Sequence, residues 1–137
     1  MRIVRGRASA GASERRSSTF TGEVWADPVL PSTDGVVVNN VFFAPGARTH
    51  WHHHENGQIL QVTAGSGWVC ALGEAPEPLC PGDLVWVPPG ETHWHGAGPD
   101  GYLLHLATSL GTTHWDRPVT DEEYGAARPQ TIPEEQR

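Results

Sequence analysis

Residues 46–58 read Gly46-Ala47-Arg48-Thr49-His50-Trp51-His52-His53-His54-Glu55-Asn56-Gly57-Gln58, and four of the chain's eight histidines fall within positions 50–54 of that stretch. In an extended strand, residues two apart point to the same face. His52 and His54 can therefore present two imidazoles to one point, while His53 points away and His50 lies on the ligand side. Gly57 is a turn residue, and Gln58 just after it can bring a carbonyl oxygen to the same place. Downstream, His93-Trp94-His95 repeats the arrangement with a second same-face pair. The remaining histidines are His105, between Leu104 and Leu106, and His114, which reads as a surface residue. If those leucines pack outward, the His105 ring turns inward.

Short apolar segments surround these clusters. Phe20–Trp25, Val36–Phe43, Ile59–Ala64, Gly67–Leu72, Leu84–Val87 and Tyr102–Ala107 are rich in β-branched and aromatic residues. Each is bounded by Gly or Pro, with Asp27-Pro28 expected to end the first of them. Gly and Pro number 16 and 12 in 137 residues, a composition of tight turns rather than long helices. The spacing predicts an all-β sandwich or barrel. One helix is expected over residues 121–127, where Thr120 and Glu123 form a capping box after Val119.

Charge is uneven. Five of the nine Arg lie within residues 2–16, and from Ser17 onward four Arg face fifteen acids, a formal −11. Residues 1–18 read as a flexible Arg-rich arm, 19–128 as a single domain and 129–137 as a polar tail. So acidic a body is not expected to bind nucleic acid or an anionic membrane. No apolar run approaches a membrane span and no secretory segment opens the chain, which predicts a cytoplasmic location. Lys is absent, so Schiff-base chemistry through lysine is excluded. Cys70 and Cys80 flank the turn residues 73–76 and are expected as reduced thiols; ten apart and without a second pair, they make a poor zinc site.

The spacings Gly46–His52–His54–Gln58–Gly65 and Gly82–Pro88–Gly90–His93 resemble the two sequence motifs of the cupins. A further set of segments is similar to the bacterial single-domain cupins that include the manganese-dependent hydroxynitrile lyases. Among them are residues 20–25, 45–49, 62–68, 89–97 and 119–124. The resemblance implies a small double-stranded β-helix, or jelly-roll barrel, with a short C-terminal helix. It also implies His52, His54, Gln58 and His93 as metal ligands, and His95 and His105 as catalytic groups or supports for the ligands. Two positions depart from the common cupin pattern. The usual acidic ligand is Gln58 here, and the Asn that commonly closes the second motif is replaced by Ala97.

Three imidazoles and one amide oxygen leave a divalent cation its full formal charge, where a carboxylate ligand would halve it. A nitrogen and oxygen set with open positions suits one Mn(II) or Fe(II) per chain, with Co(II), Ni(II) or Zn(II) as further candidates. The expected function is lyase chemistry on a small α-hydroxy compound, with the metal as Lewis acid and His95 or His105 as general base. An O₂-dependent dioxygenase and a non-catalytic binding protein are the alternatives. His95, one pleat beyond His93, is expected ~6–7 Å from it, outside a metal bond. Six Trp exceed what a narrow barrel interior holds, and Phe20–Trp25 offers a sheet edge, so a homodimer or homotetramer is expected.

Overall fold

The computed structural model describes residues 1–7 and 12–126. Along them run β1 (Glu14–Arg16), β2 (Phe20–Thr21), β3 (Val24–Thr33), β4 (Val36–Phe43), β5 (Arg48–Thr49), β6 (His52–His54) and β7 (Gln58–Gly65). They continue with β8 (Gly67–Ala71), β9 (Glu77–Leu79), β10 (Leu84–Val87), β11 (His93–Ala97), β12 (Leu103–Leu110), β13 (Thr113–Trp115) and the helix α1 (Asp121–Gly125). One sheet has the order β1-β3-β4-β12-β7-β10. The other has the order β13-β6-β11-β5-β2, with β8 joining β11 to β9. All pairings are antiparallel, and the two curled sheets form the expected jelly-roll barrel.

Two apolar clusters are present, one inside the barrel, mostly from the first sheet, and one on the outer face of the second sheet. Val24, Val41, Phe43, Leu60, Val62, Ala97 and Leu103 fill the barrel interior. Trp51, Trp68, Cys70, Trp94 and Val119 pack on the opposite face, against Tyr124 of α1. Trp51 and Trp94 alternate with the histidines of β6 and β11, so the same strands send imidazoles inward and indoles outward. This accounts for three of the six tryptophans that the barrel interior could not hold. It also explains why β11 is buried along its whole length.

The structure corrects several local expectations. Asp27-Pro28 does not end its strand; β3 runs on through Pro28 and Pro31 to Thr33, with register shifts after Pro28 and after Leu30. Its outer neighbour β1 pairs only with Val24–Ala26, so beyond Ala26 that edge requires no N–H, and proline is tolerated there. The stretch read as a flexible arm contributes β1, in which Glu14, Arg15 and Arg16 face Ala26, Trp25 and Val24. Phe20–Trp25 is not one strand: Gly22 interrupts it, Phe20–Thr21 pairs with β5 as the end strand of the second sheet, and Val24–Trp25 lies between β1 and β4. Cys70 and Cys80 are free thiols. The α1 capping box is formed, with Thr120 accepting from the Glu123 amide. Residue 127 and the tail from 129 lie outside the described residues.

Candidate metal centre

The two sheets meet around a cavity of about 440 Å³. β6 supplies His52 and His54, β11 supplies His93 and His95, Gln58 opens β7, and His105 comes from β12. His93 lies directly opposite His52 in the β6–β11 pairing, which brings their rings to 4.2 Å between centroids. Gly57 makes the turn that places Gln58 beside them. It holds φ at +96°, and a Cβ there would stand 2.7 Å from the Val87 carbonyl and 2.8 Å from Trp86. An L side chain is excluded both by conformation and by space. His105 sits at a β-bulge, where the β12–β7 register shifts between Leu104 and His105. Such bulges re-aim a side chain, and the His105 ring is fully buried while Leu104 and Leu106 are half-buried.

Hydrogen bonds fix the orientation of the rings. His52 Nδ1 lies 2.9 Å from the His50 carbonyl, and His93 Nδ1 lies 3.0 Å from the Glu91 carbonyl. A carbonyl only accepts, so both rings carry their hydrogen on Nδ1 and keep Nε2 bare. His54 Nδ1 is 2.8 Å from the Thr113 hydroxyl, and its Nε2 is buried without a partner. Gln58 Nε2 donates to Ser109 at 3.0 Å, which aims Oε1 at His93 Nε2, 3.1 Å away. Two lone pairs then face each other, an arrangement that a cation relieves. Turning the amide round would relieve it too, so the stronger sign is the orphaned Nε2 of His54. Histidines with Nδ1 tied back and Nε2 bare are the usual form of metal-ligating imidazole. The residues fit a divalent cation.

Burial dominates the electrostatics. It pushes His54 and His93 from an ordinary 6.5 down to about 4, with the neighbouring His93 adding to the effect on His54. His52 is held well below its ordinary value by burial and then by His93. All are neutral at pH 7, as ligands must be.

His95 and His105 form a hydrogen-bonded pair, His95 Nδ1 to His105 Nε2 at 3.0 Å. The outer nitrogens, His95 Nε2 and His105 Nδ1, are buried without partners. Burial, followed for His95 by the adjacent His105, keeps both rings uncharged; His105 is lowered to about 4. Phe43 packs against both rings.

His95 is closer to the centre than one pleat predicts. One nitrogen each of His52, His93 and His95 lie within 4.8 Å of one another, a group able to hold a metal ion. His93 and His95 lean together, stacked with an interplanar angle of 24° and centroids 5.6 Å apart. The structure thus brings His52, His54, Gln58, His95 and His105 to one cavity, with His93 beside them against His52 and Gln58, and His52, His93 and His95 form the tightest nitrogen cluster. His53 points away and stacks on His114, which bonds Glu55 at 2.9 Å.

Several residues of the site carry no sequence signal. Thr113 and Ser109, which orient His54 and Gln58, lie more than fifty positions from them. Thr49, buried, accepts from the His95 amide at 3.2 Å. The segment Arg15–Phe20 and Trp115 line the cavity, so part of the stretch read as a tail is a wall of the site.

The chain shares 48% identity with an (R)-mandelonitrile lyase of Granulicella tundricola, over 77% of this chain and 85% of that protein. It shares 31% with an acireductone dioxygenase of Gluconobacter oxydans, over 61% of this chain and 46% of that one. A crystal structure of a cupin-like protein from Thermotoga maritima superposes with a TM-score of 0.80 and 39% identity, covering 94% of this chain and all of that one. The model of the Cupin domain family matches residues 39–104, which span β6, β7 and β11 with every candidate ligand. By sequence, by topology and by the histidine cluster that the barrel encloses, this chain belongs to the cupin family.

Proposed function

We propose that the protein is a metal-dependent lyase acting on a small α-hydroxy compound, with cyanohydrin cleavage as the reaction to test. The observation that carries the reading is the His95–His105 pair, whose outer nitrogens have no partner and whose rings line the same cavity as His52, His54 and Gln58. The identity with a mandelonitrile lyase supports it. His52, His54, Gln58 and His93 would hold one divalent cation, with Mn(II) or Fe(II) favoured by a nitrogen and oxygen donor set without thiolate. That cation would supply Lewis acidity toward the substrate's hydroxyl oxygen.

The chain's own contribution is proton transfer. With the shared hydrogen on His95 Nδ1 and donated to His105, His95 Nε2 is a free base. It takes the hydroxyl proton; the O–H electron pair becomes the new carbonyl bond and the C–C pair leaves with cyanide. His95 then returns its proton to the cyanide, so the base is regenerated. Among the described residues, no carboxylate lines the cavity to compete for this role.

The relationship to an acireductone dioxygenase favours a second reading, an O₂-dependent oxygenase at the same site. Oxygen separates the two. Metal-loaded protein incubated anaerobically with a cyanohydrin is expected to release aldehyde and cyanide at the aerobic rate; strict dependence on O₂ would establish the oxygenase instead. His93→Ala should lose metal and turnover together. His95→Ala should keep near-stoichiometric metal and lose ~10²–10⁴ in rate, the worth of general-base catalysis. Loss of metal from His95→Ala would make it a ligand and overturn the base assignment.

A further inference from the structure

We propose that the cavity takes a small carboxylate, in the simplest case a 2-hydroxycarboxylate, with its anionic end at Arg16 and its hydroxyl end at the histidines. This rests on the reading of the cavity as a substrate site and is independent of the lyase step. The distribution of charge is the starting point. From Ser17 onward the chain carries a formal −11, yet among the described residues the cavity is lined by no Asp or Glu. Among the described residues, its formally cationic lining residues are Arg15 and Arg16. In so acidic a molecule, two arginines in the lining, one of them shared with Glu14, favour an anion there.

The β1–β3 register separates the two arginines. Directly opposed residues of an antiparallel pair point to the same face. Arg15 faces Trp25, and its guanidinium lies 5.8 Å over that ring. Arg16 faces Val24, which is fully buried in the barrel core, so Arg16 is the arginine on the inner side. Glu14 engages one of its nitrogens at 3.0 Å, and the two side chains remain 40% and 54% exposed. A guanidinium has five N–H donors in a planar fork, so Arg16 keeps donors for a second carboxylate.

In the same lining, beyond the ligand-like histidines, His95 Nε2 and His105 Nδ1 are buried without partners. The rings that carry them are 4% and 0% exposed. Buried polar atoms without partners are rare and point to a missing ligand. A neutral cyanohydrin would use only these histidines. A hydroxycarboxylate would use both them and Arg16.

Mandelate and mandelamide share a shape and differ in charge, which makes them the probes. Binding is followed by quenching of tryptophan fluorescence, since Trp115 lines the cavity. It is measured on the metal-loaded protein and again after chelation. Mandelate is expected to bind about tenfold or more tightly than mandelamide in both forms, as a charge-assisted bidentate contact implies. Arg16→Gln should erase most of that preference. Glu14→Gln, which releases Arg16 from its ion pair, should tighten mandelate several-fold and leave mandelamide unchanged, a gain that a merely structural role would not produce. Equal binding of acid and amide after chelation would overturn the proposal. A preference that persists in Arg16→Gln would overturn it as well. The cyanohydrin assay is scored separately: absence of cleavage with the acid–amide difference intact sinks the lyase reading alone.

Discussion

Gln58 stands where a carboxylate would neutralise half the formal charge of a bound divalent cation. Its amide nitrogen is held by Ser109 and its oxygen faces His93, so the side chain is already placed to donate a neutral oxygen. Gln58→Glu is therefore expected to hold metal at least as tightly while lowering turnover, because a less electrophilic cation leaves the bound hydroxyl more basic. Metal content and kcat on the purified variant check it, and equal or higher activity would remove the charge argument. The ligand residues were legible in sequence because strand alternation alone pairs His52 with His54 and His93 with His95. Their orienting partners were not. Thr113 reaches His54 only through the β13–β6 pairing, and Ser109 reaches Gln58 only through β12–β7. The approach of His95 to the cluster depends on how two rings lean, which no spacing rule contains.

The elements divide between those with a strong local pattern and those fixed by their neighbours. β4 and β10 coincide with their apolar runs, and α1 begins at its capping box, since each carries its own boundary signal. β1, β5, β9 and β13 have two or three residues each and exist because a partner strand is present. The short helix is a brace for the ligand strands. Buried Arg48 donates to the Val119 carbonyl at 3.0 Å and to Asp121 at 2.9 Å, beneath the Tyr124 ring. Glu123 accepts from Arg117, from the Thr120 amide at 3.0 Å and from the Trp51 indole at 3.3 Å. These contacts hold its carboxyl down at about 2, with Arg117 the largest cause. Loss of a helix cap costs ~1 kcal/mol, so Thr120→Ala and Glu123→Ala should each destabilise the fold by about that amount. The double variant should lose less than the sum, because the two groups form one reciprocal cap. Urea unfolding of the three variants measures this; strict additivity would show that the cap does not act as a unit.

Across the whole molecule, two features point beyond the single folded chain. Leu84 and Trp86, 61% and 52% exposed, lie on the edge strand β10, and Tyr102 stacks with Phe42 on the neighbouring surface. Exposed apolar edges are normally covered, so a homodimer or homotetramer is expected; light scattering that finds a monomer at micromolar concentration would contradict it. The second feature is the cost of burying five histidines around one site. Unfolded, each takes a proton near 6.5; folded, His54, His93 and His105 take one only near 4, and His52 and His95 are held down in the same direction. Between those values the unfolded chain binds more protons than the native one, so stability rises with pH. Stability of the metal-free protein is therefore full above pH 6.5 and falls as the pH drops; the part owed to His54, His93 and His105 is lost by about pH 4. One pKa unit is about 1.4 kcal/mol, so a single histidine lowered this far removes ~3 kcal/mol. That is a large share of the ~5–15 kcal/mol that holds a small domain together. Urea midpoints of chelated protein at pH 7.5 and pH 5 should differ clearly, the lower pH being the weaker. Equal midpoints would mean that the histidines are not buried neutral in solution, and the site as described would have to be redrawn.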